Sequence, residues 1–96
     1  MREQFDANRR IIALQALEQD PKYELSTQML QRVLDHFAHA MSATAVDGLV
    51  DWLSERGLVT VRDLGQGVRV ACLTQMGVDV AQGRTRVSGV DRPPPL

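Results

Sequence analysis

A single cysteine, Cys72, leaves the chain without any internal disulfide and points to a reducing compartment. Its place in a predicted strand marks it as a small buried side chain rather than a reactive thiol. Aromatic residues make up only 4% of the 96 residues, so the core must come from the Leu, Val, Ile, Ala and Met that dominate a 44% apolar fraction. No apolar run approaches the length of a membrane span, and the first residues are too polar for a secretory signal, so a cytoplasmic location is expected. Phosphate-loop spacing is missing, because Gly65-Gln66-Gly67 falls at a hairpin tip where the glycines serve the turn. No Ser-His-Asp set has local elbow context, and the lone cysteine has no evident base. The chain is therefore not expected to be an enzyme, and it implies no cofactor and no small-molecule ligand.

What is present is an ordered run of local signals. Leu49, Val50 and Leu53 form an apolar stripe at helical spacing, and Gly57 follows as a C-terminal cap. Leu58 to Leu64 then alternates and is β-branched, Gly65-Gln66-Gly67 turns, and Val68 to Leu73 returns. Thr74 opens a last helix as its N-cap, with Val78 and Ala81 inward and Gly83 near its end. Upstream, Gln4 to Glu18 is predicted helical with Phe5, Ile11, Ile12, Leu14 and Leu17 on more than one side. Asp20-Pro21 ends that helix, and Lys22 to Leu25 forms a short connector. Ser26 or Thr27 caps a second helix whose Met29, Leu30, Val33, Leu34 and Phe37 repeat at three- and four-residue intervals. Ser42 or Thr44 caps a third helix running to Arg56. The fold class is mainly α with a two-stranded β-hairpin: a winged helix-turn-helix. Residues 1–83 form that domain, and 84–96 read as an extended, proline-containing tail, partly ordered if Val87 and Val90 dock.

Net charge is −1, but it is unevenly spread. Residues 1–55 hold five Lys/Arg against nine Asp/Glu, whereas residues 56–96 hold six Arg against three Asp. Positive charge thus falls on the wing and tail, where a winged helix meets phosphates. Double-stranded DNA is the expected partner. On the third helix, Ala43, Thr44, Asp47 and Gly48 face solvent, with Thr44 and Ala43 able to meet a thymine methyl and Asp47 able to accept from cytosine. Asp51 and Glu55 share that face, and such acidity suits a non-catalytic interaction or assembly module instead. Arg62 and Arg69 are expected opposite one another on one face of the wing, to contact the DNA backbone, leaving Val59, Val61, Val70 and Cys72 towards the core. Trp52 falls beside the apolar stripe, at the expected seam between helix and wing. His36 and His39, with Asp35, have the spacing of a partial metal site, but two histidines alone define no metal centre. The two-sided apolarity of the first helix predicts a homodimer through Phe5, Ile11, Ile12, Leu14 and Leu17, with Val78 of the last helix contributing.

Four segments carry a narrower likeness: Leu53-Ser54-Glu55-Arg56-Gly57-Leu58-Val59-Thr60-Val61, Leu73-Thr74-Gln75-Met76-Gly77, Ala81-Gln82-Gly83-Arg84, and Val87-Ser88-Gly89-Val90-Asp91-Arg92-Pro93. Together they resemble the small ArsR-like winged-helix proteins encoded by Mu-like transposable phages and their prophages. The resemblance covers nearly the whole chain. It implies a cytoplasmic, dimeric DNA-binding or assembly protein with no defined catalytic activity. The cysteine-rich metal motif of ArsR sensors has no counterpart here.

Overall fold

The structure, a computed structural model, describes residues 2–93. Helix α1 spans Arg2–Gln19, followed by strand β1, Glu24–Ser26, and helix α2, Thr27–His36. Helix α3 spans Ala43–Glu55, the hairpin comprises β2, Val59–Gly65, and β3, Val68–Leu73, and α4 runs Gln75–Ala81. Three helix starts carry the side-chain caps their sequences predict. Ser26 Oγ accepts from the Met29 amide at 3.1 Å, Ser42 Oγ from Ala45 at 3.1 Å and Thr74 Oγ1 from Gly77 at 3.0 Å. Each cap contributes about 1 kcal/mol by satisfying an amide the helix cannot. At the far end of α3, Gly57 takes a φ of 75°, and the Leu58 amide reaches back to the Leu53 carbonyl at 3.0 Å. That closure turns the chain straight from α3 into the wing.

The core is aliphatic throughout. Leu14, Leu17, Leu30, Leu34, Val50, Leu53 and Leu58 are fully enclosed where α1, α2, α3 and the sheet converge. Ile11, Leu14 and Leu17 lie inside this single-chain core, at 1%, 0% and 0% exposure. They therefore cannot serve the dimer interface expected of them, because α1 spends that face on its own domain. Phe5 stays exposed, and Ile12 and Val78 are half-buried.

A third strand joins the expected hairpin. β1 pairs antiparallel with the outer edge of β3, Leu25 opposite Ala71, giving the order β1-β3-β2. The connector is thus extended because it covers an edge that would otherwise leave amides and carbonyls unpaired. The tail docks through its two valines. Val87 and Val90 pack on the core, Arg10 Nη1 donates to the Gly89 carbonyl at 2.9 Å, and the Asp91 amide donates to Ala7 at 3.2 Å. Residues 94–96 of the tail lie outside the described residues.

Candidate nucleic-acid interface

Helix α3 turns Val46, Leu49, Val50 and Leu53 inward, and this sets its two flanks. At the N-terminal end of the outer face, Ala43, Thr44, Ala45 and Gly48 are exposed. A methyl group added at Gly48 would meet nothing within 4 Å. This stretch is small, uncharged and unobstructed.

The wing flank of α3 is acidic, and it is already engaged. Arg69 Nη2 donates to Asp51 at 2.6 Å and Arg69 Nη1 to Asp47 at 3.2 Å. Arg62, by contrast, makes two bonds to the Glu24 carboxylate at 3.2 and 3.3 Å. The two arginines therefore do not share a face, contrary to expectation. The cause is local. The turn centres on Gln66 and Gly67, both with positive φ, and Leu64 is an extra residue in β2. This bulge sets Arg62 opposite Val70 and Asp63 opposite Arg69, so the two side chains leave the sheet on opposite sides. Val59, Val61 and Ala71 share the Arg69 side, whereas Thr60, Val70 and Cys72 share the Arg62 side. Each guanidinium is held above the usual arginine range, chiefly by its hydrogen-bonded carboxylate. Glu24 in turn sits below the ordinary carboxylate range, first because Arg62 donates to it. The half-buried Cys72 thiol donates to the same carboxylate at 3.5 Å and is pushed up by burial and that bond. It is thereby kept as the protonated, unreactive form.

The other flank of α3 carries a different chemistry. Trp52 is not at the wing seam; it faces α1 and the tail. The guanidinium carbon of Arg10 lies 3.8 Å from the indole centroid and that of Arg56 lies 3.7 Å away. Two guanidinium groups at that height cannot share one face of a ring, so they sandwich it. Gly89 seals the edge: with φ +91°, its missing Cβ would fall 2.8 Å from Trp52 Cζ2. Between this sandwich and the start of α1 lies a groove of about 280 Å³ lined by Arg2, Arg9, Arg10, Ala45, Gly48 and Trp52, with Asp6 as its acid. Trp52 and Arg56 have i,i+4 spacing at the end of α3, but the other arginines come from a separate segment, α1, and no spacing rule brings them to the ring.

The histidines turn to different neighbours. His39 meets Asn8 Oδ1 at 2.9 Å and accepts from Arg9 at 3.3 Å, while His36 lies edge-on to Phe37. Among the described residues, no three His, Cys, Asp or Glu side chains converge as a metal site. Nor is any helix among them long and apolar enough to cross a membrane.

Three helices, a short third strand and a hairpin following α3 without spacer define a winged helix-turn-helix protein. Two complex structures of hsRosR, S1 and S4, superpose with a TM-score of 0.64 at 18% identity, over 75% of this chain. The chain spans 62% and 61% of those two solved chains. No family model matches. Uncharacterized protein gp26 of Escherichia phage Mu is 46% identical over 88 residues, covering 92% of this chain and 90% of gp26. An uncharacterized Haemophilus influenzae protein is 30% identical over 97 residues, covering 98% and 91%. The chain belongs to the family of phage Mu gp26.

Proposed function

We propose that the chain is a double-stranded DNA-binding protein, a transcriptional regulator of Mu-like phages and prophages of ArsR-like type. The observation that carries this is the N-terminal half of α3. Ala43, Thr44, Ala45 and Gly48 form an open, side-chain-poor surface on a capped helix, rigidly seated on the core and bordered by arginines. Such a surface admits a base-pair edge closely, and Thr44 supplies both a hydroxyl and a methyl for contact. The test is electrophoretic retardation of duplex fragments across a salt series. Affinity is expected to fall steeply, the logarithmic slope being about −0.9 per phosphate contacted. No retardation at low salt would overturn the proposal.

A second role, binding a protein with a basic surface, draws on a separate observation. Asp47, Asp51 and Glu55 give α3 an acidic outer face, and both wing arginines already have carboxylate partners. Retention of fold with loss of DNA contact fits those charges. The salt series separates the two roles directly.

We also propose a homodimer, with the contact displaced from the fully buried residues of α1. Ile12, Ala16, Leu25, Met29, Val33 and Phe37 line an open groove of about 560 Å³ between α1 and α2. Met29 and Phe37 are 43% and 55% exposed. Asp20 and Arg32 also line the groove, so a self-complementary two-fold contact has charges of both signs to pair. Light scattering at tens of micromolar is expected to give twice the chain mass. Met29→Glu should return the monomer mass with the helical spectrum intact, since this side chain is outside the core; a monomeric parent would refute the dimer.

A further inference from the structure

We infer that the Arg10–Trp52–Arg56 sandwich is a clamp for the phosphates of a nucleic-acid backbone, so that the α1 flank of α3, and not the wing, makes the main electrostatic contact. The inference rests on the DNA-binding role proposed above and names the part of the surface that meets the backbone.

Stacking seats both guanidinium groups against the indole, and beyond the Arg10 Nη1 bond to the Gly89 carbonyl their remaining N–H groups are donors for a further acceptor. Two guanidinium groups on opposite faces of one ring suit acceptors with several oxygens, and the successive phosphates of a nucleic-acid backbone offer them. The positive charge here is also the less compensated on the molecule. Arg10 has no carboxylate hydrogen bond among the described residues; its Nη1 donates to the Gly89 carbonyl. Glu55 reaches Arg56 only at 3.9 Å, and Asp6 is bonded to Arg9 at 3.3 Å. The titration directions agree with this geometry. Arg10 is held below its usual range by burial first, with Arg56 pushing the same way and Asp6 opposing, whereas Arg62 and Arg69 are raised by their carboxylates. An anion at the clamp would relieve the repulsion between the two stacked cations.

Position supports the same assignment. Ala45 and Gly48 precede Trp52 on this flank and carry almost no side chain, so a backbone running beside α3 can approach closely. Arg2 and Arg9 line the continuation of the groove along α1. A strand seated with α3 in the major groove would therefore meet four arginines on this side. On the wing side it meets an arginine already bridging Asp47 and Asp51.

Trp52 is the sole tryptophan, so its fluorescence reports on the clamp without labelling. The full chain is titrated with a mixed-sequence duplex, and separately with inorganic phosphate at matched ionic strength. The duplex is expected to change the Trp52 emission. Arg56→Ala should weaken duplex binding several-fold and lower the salt slope by about one. Arg56→Lys should recover the slope but not the full affinity, because an ammonium keeps the charge without the fork. Arg62→Ala should bind as the parent does. Arg56 is exposed at the end of α3, and an unchanged melting profile for its variants would show that the fold survives; Arg10→Lys provides a second variant on the opposite ring face. If the parent binds duplex and both Arg56→Ala and Arg10→Lys keep its affinity and slope, the clamp assignment fails while the DNA-binding role stands. If the parent binds no duplex, both fail. Emission that responds to inorganic phosphate and not to duplex would overturn the backbone assignment in favour of a free anion.

Discussion

Replacing Gly77 with alanine is expected to destabilise the domain by about 1–3 kcal/mol or more, the range for forcing atoms into a packed site. Gly77 is buried in the first turn of α4. A Cβ there would run into the Leu58 carbonyl oxygen and would lie 2.6 Å from Leu73 Cδ1. The leucine side chain can rotate away, but the carbonyl cannot. It accepts from the Thr74 hydroxyl at 3.0 Å and from the Thr74 amide at 3.1 Å, and those bonds seat α4 against the end of α3. Relief therefore requires α4 to shift as a whole, loosening Val80 and Ala81 in the core. A domain of this size loses about 4–8 °C of melting temperature per kcal/mol. Thermal unfolding followed by circular dichroism should show a drop of about that size or larger; an unchanged midpoint would mean that α4 yields freely.

The largest gain in DNA affinity is expected from neutralising the wing flank. Asp47→Asn with Asp51→Asn removes two negative charges from the face of α3 and releases the Arg69 fork that they hold. Both changes favour phosphate contact, so at low salt the double variant should bind duplex at least about tenfold more tightly, with a salt slope steeper by about one. Arg69→Ala should move affinity the other way by exposing the carboxylates. Stability should change by less than about 1 kcal/mol in either case, because exposed ion pairs contribute little in water. Titration across a salt series distinguishes the outcomes. Equal affinity for parent and double variant would show that this flank of α3 never faces the backbone.

Local chemistry made the element order legible in the chain. Helix starts were marked by Ser26, Ser42 and Thr74, the stop after α3 by Gly57, and the strands by alternation, because each signal acts within a few residues. The register of the wing was not legible. One extra residue, Leu64, flips every side chain beyond it, and nothing in its identity announces a bulge. The partner of β1 was hidden for a related reason: three residues carry no periodicity, and only the uncovered edge of β3 calls them into a strand. Periodicity marks the apolar residues of α1 but does not say against what they pack. Ile11, Leu14 and Leu17 turn inward, and the apolar surface left open includes Phe5, Met29 and Phe37, with Ile12 and Val33 half-buried. Of the Arg–Trp–Arg cluster only the Trp52–Arg56 pair is local, at i,i+4; Arg10 arrives from α1 through tertiary packing that no local pattern shows.

The tail's seat on α1 has a bearing on synthesis. Arg10 and Gly89 are bonded across 79 positions, and Asp91 reaches Ala7. As the polypeptide leaves the ribosome, α1 thus waits for nearly everything after it before one of its seams can close. Helices α2 and α3 and the hairpin can form early from contacts near in sequence, but the Trp52 edge and the seats of Val87 and Val90 stay wet until residue 89 has emerged. A nascent chain arrested at Gly83 should accordingly expose apolar surface that the completed protein hides.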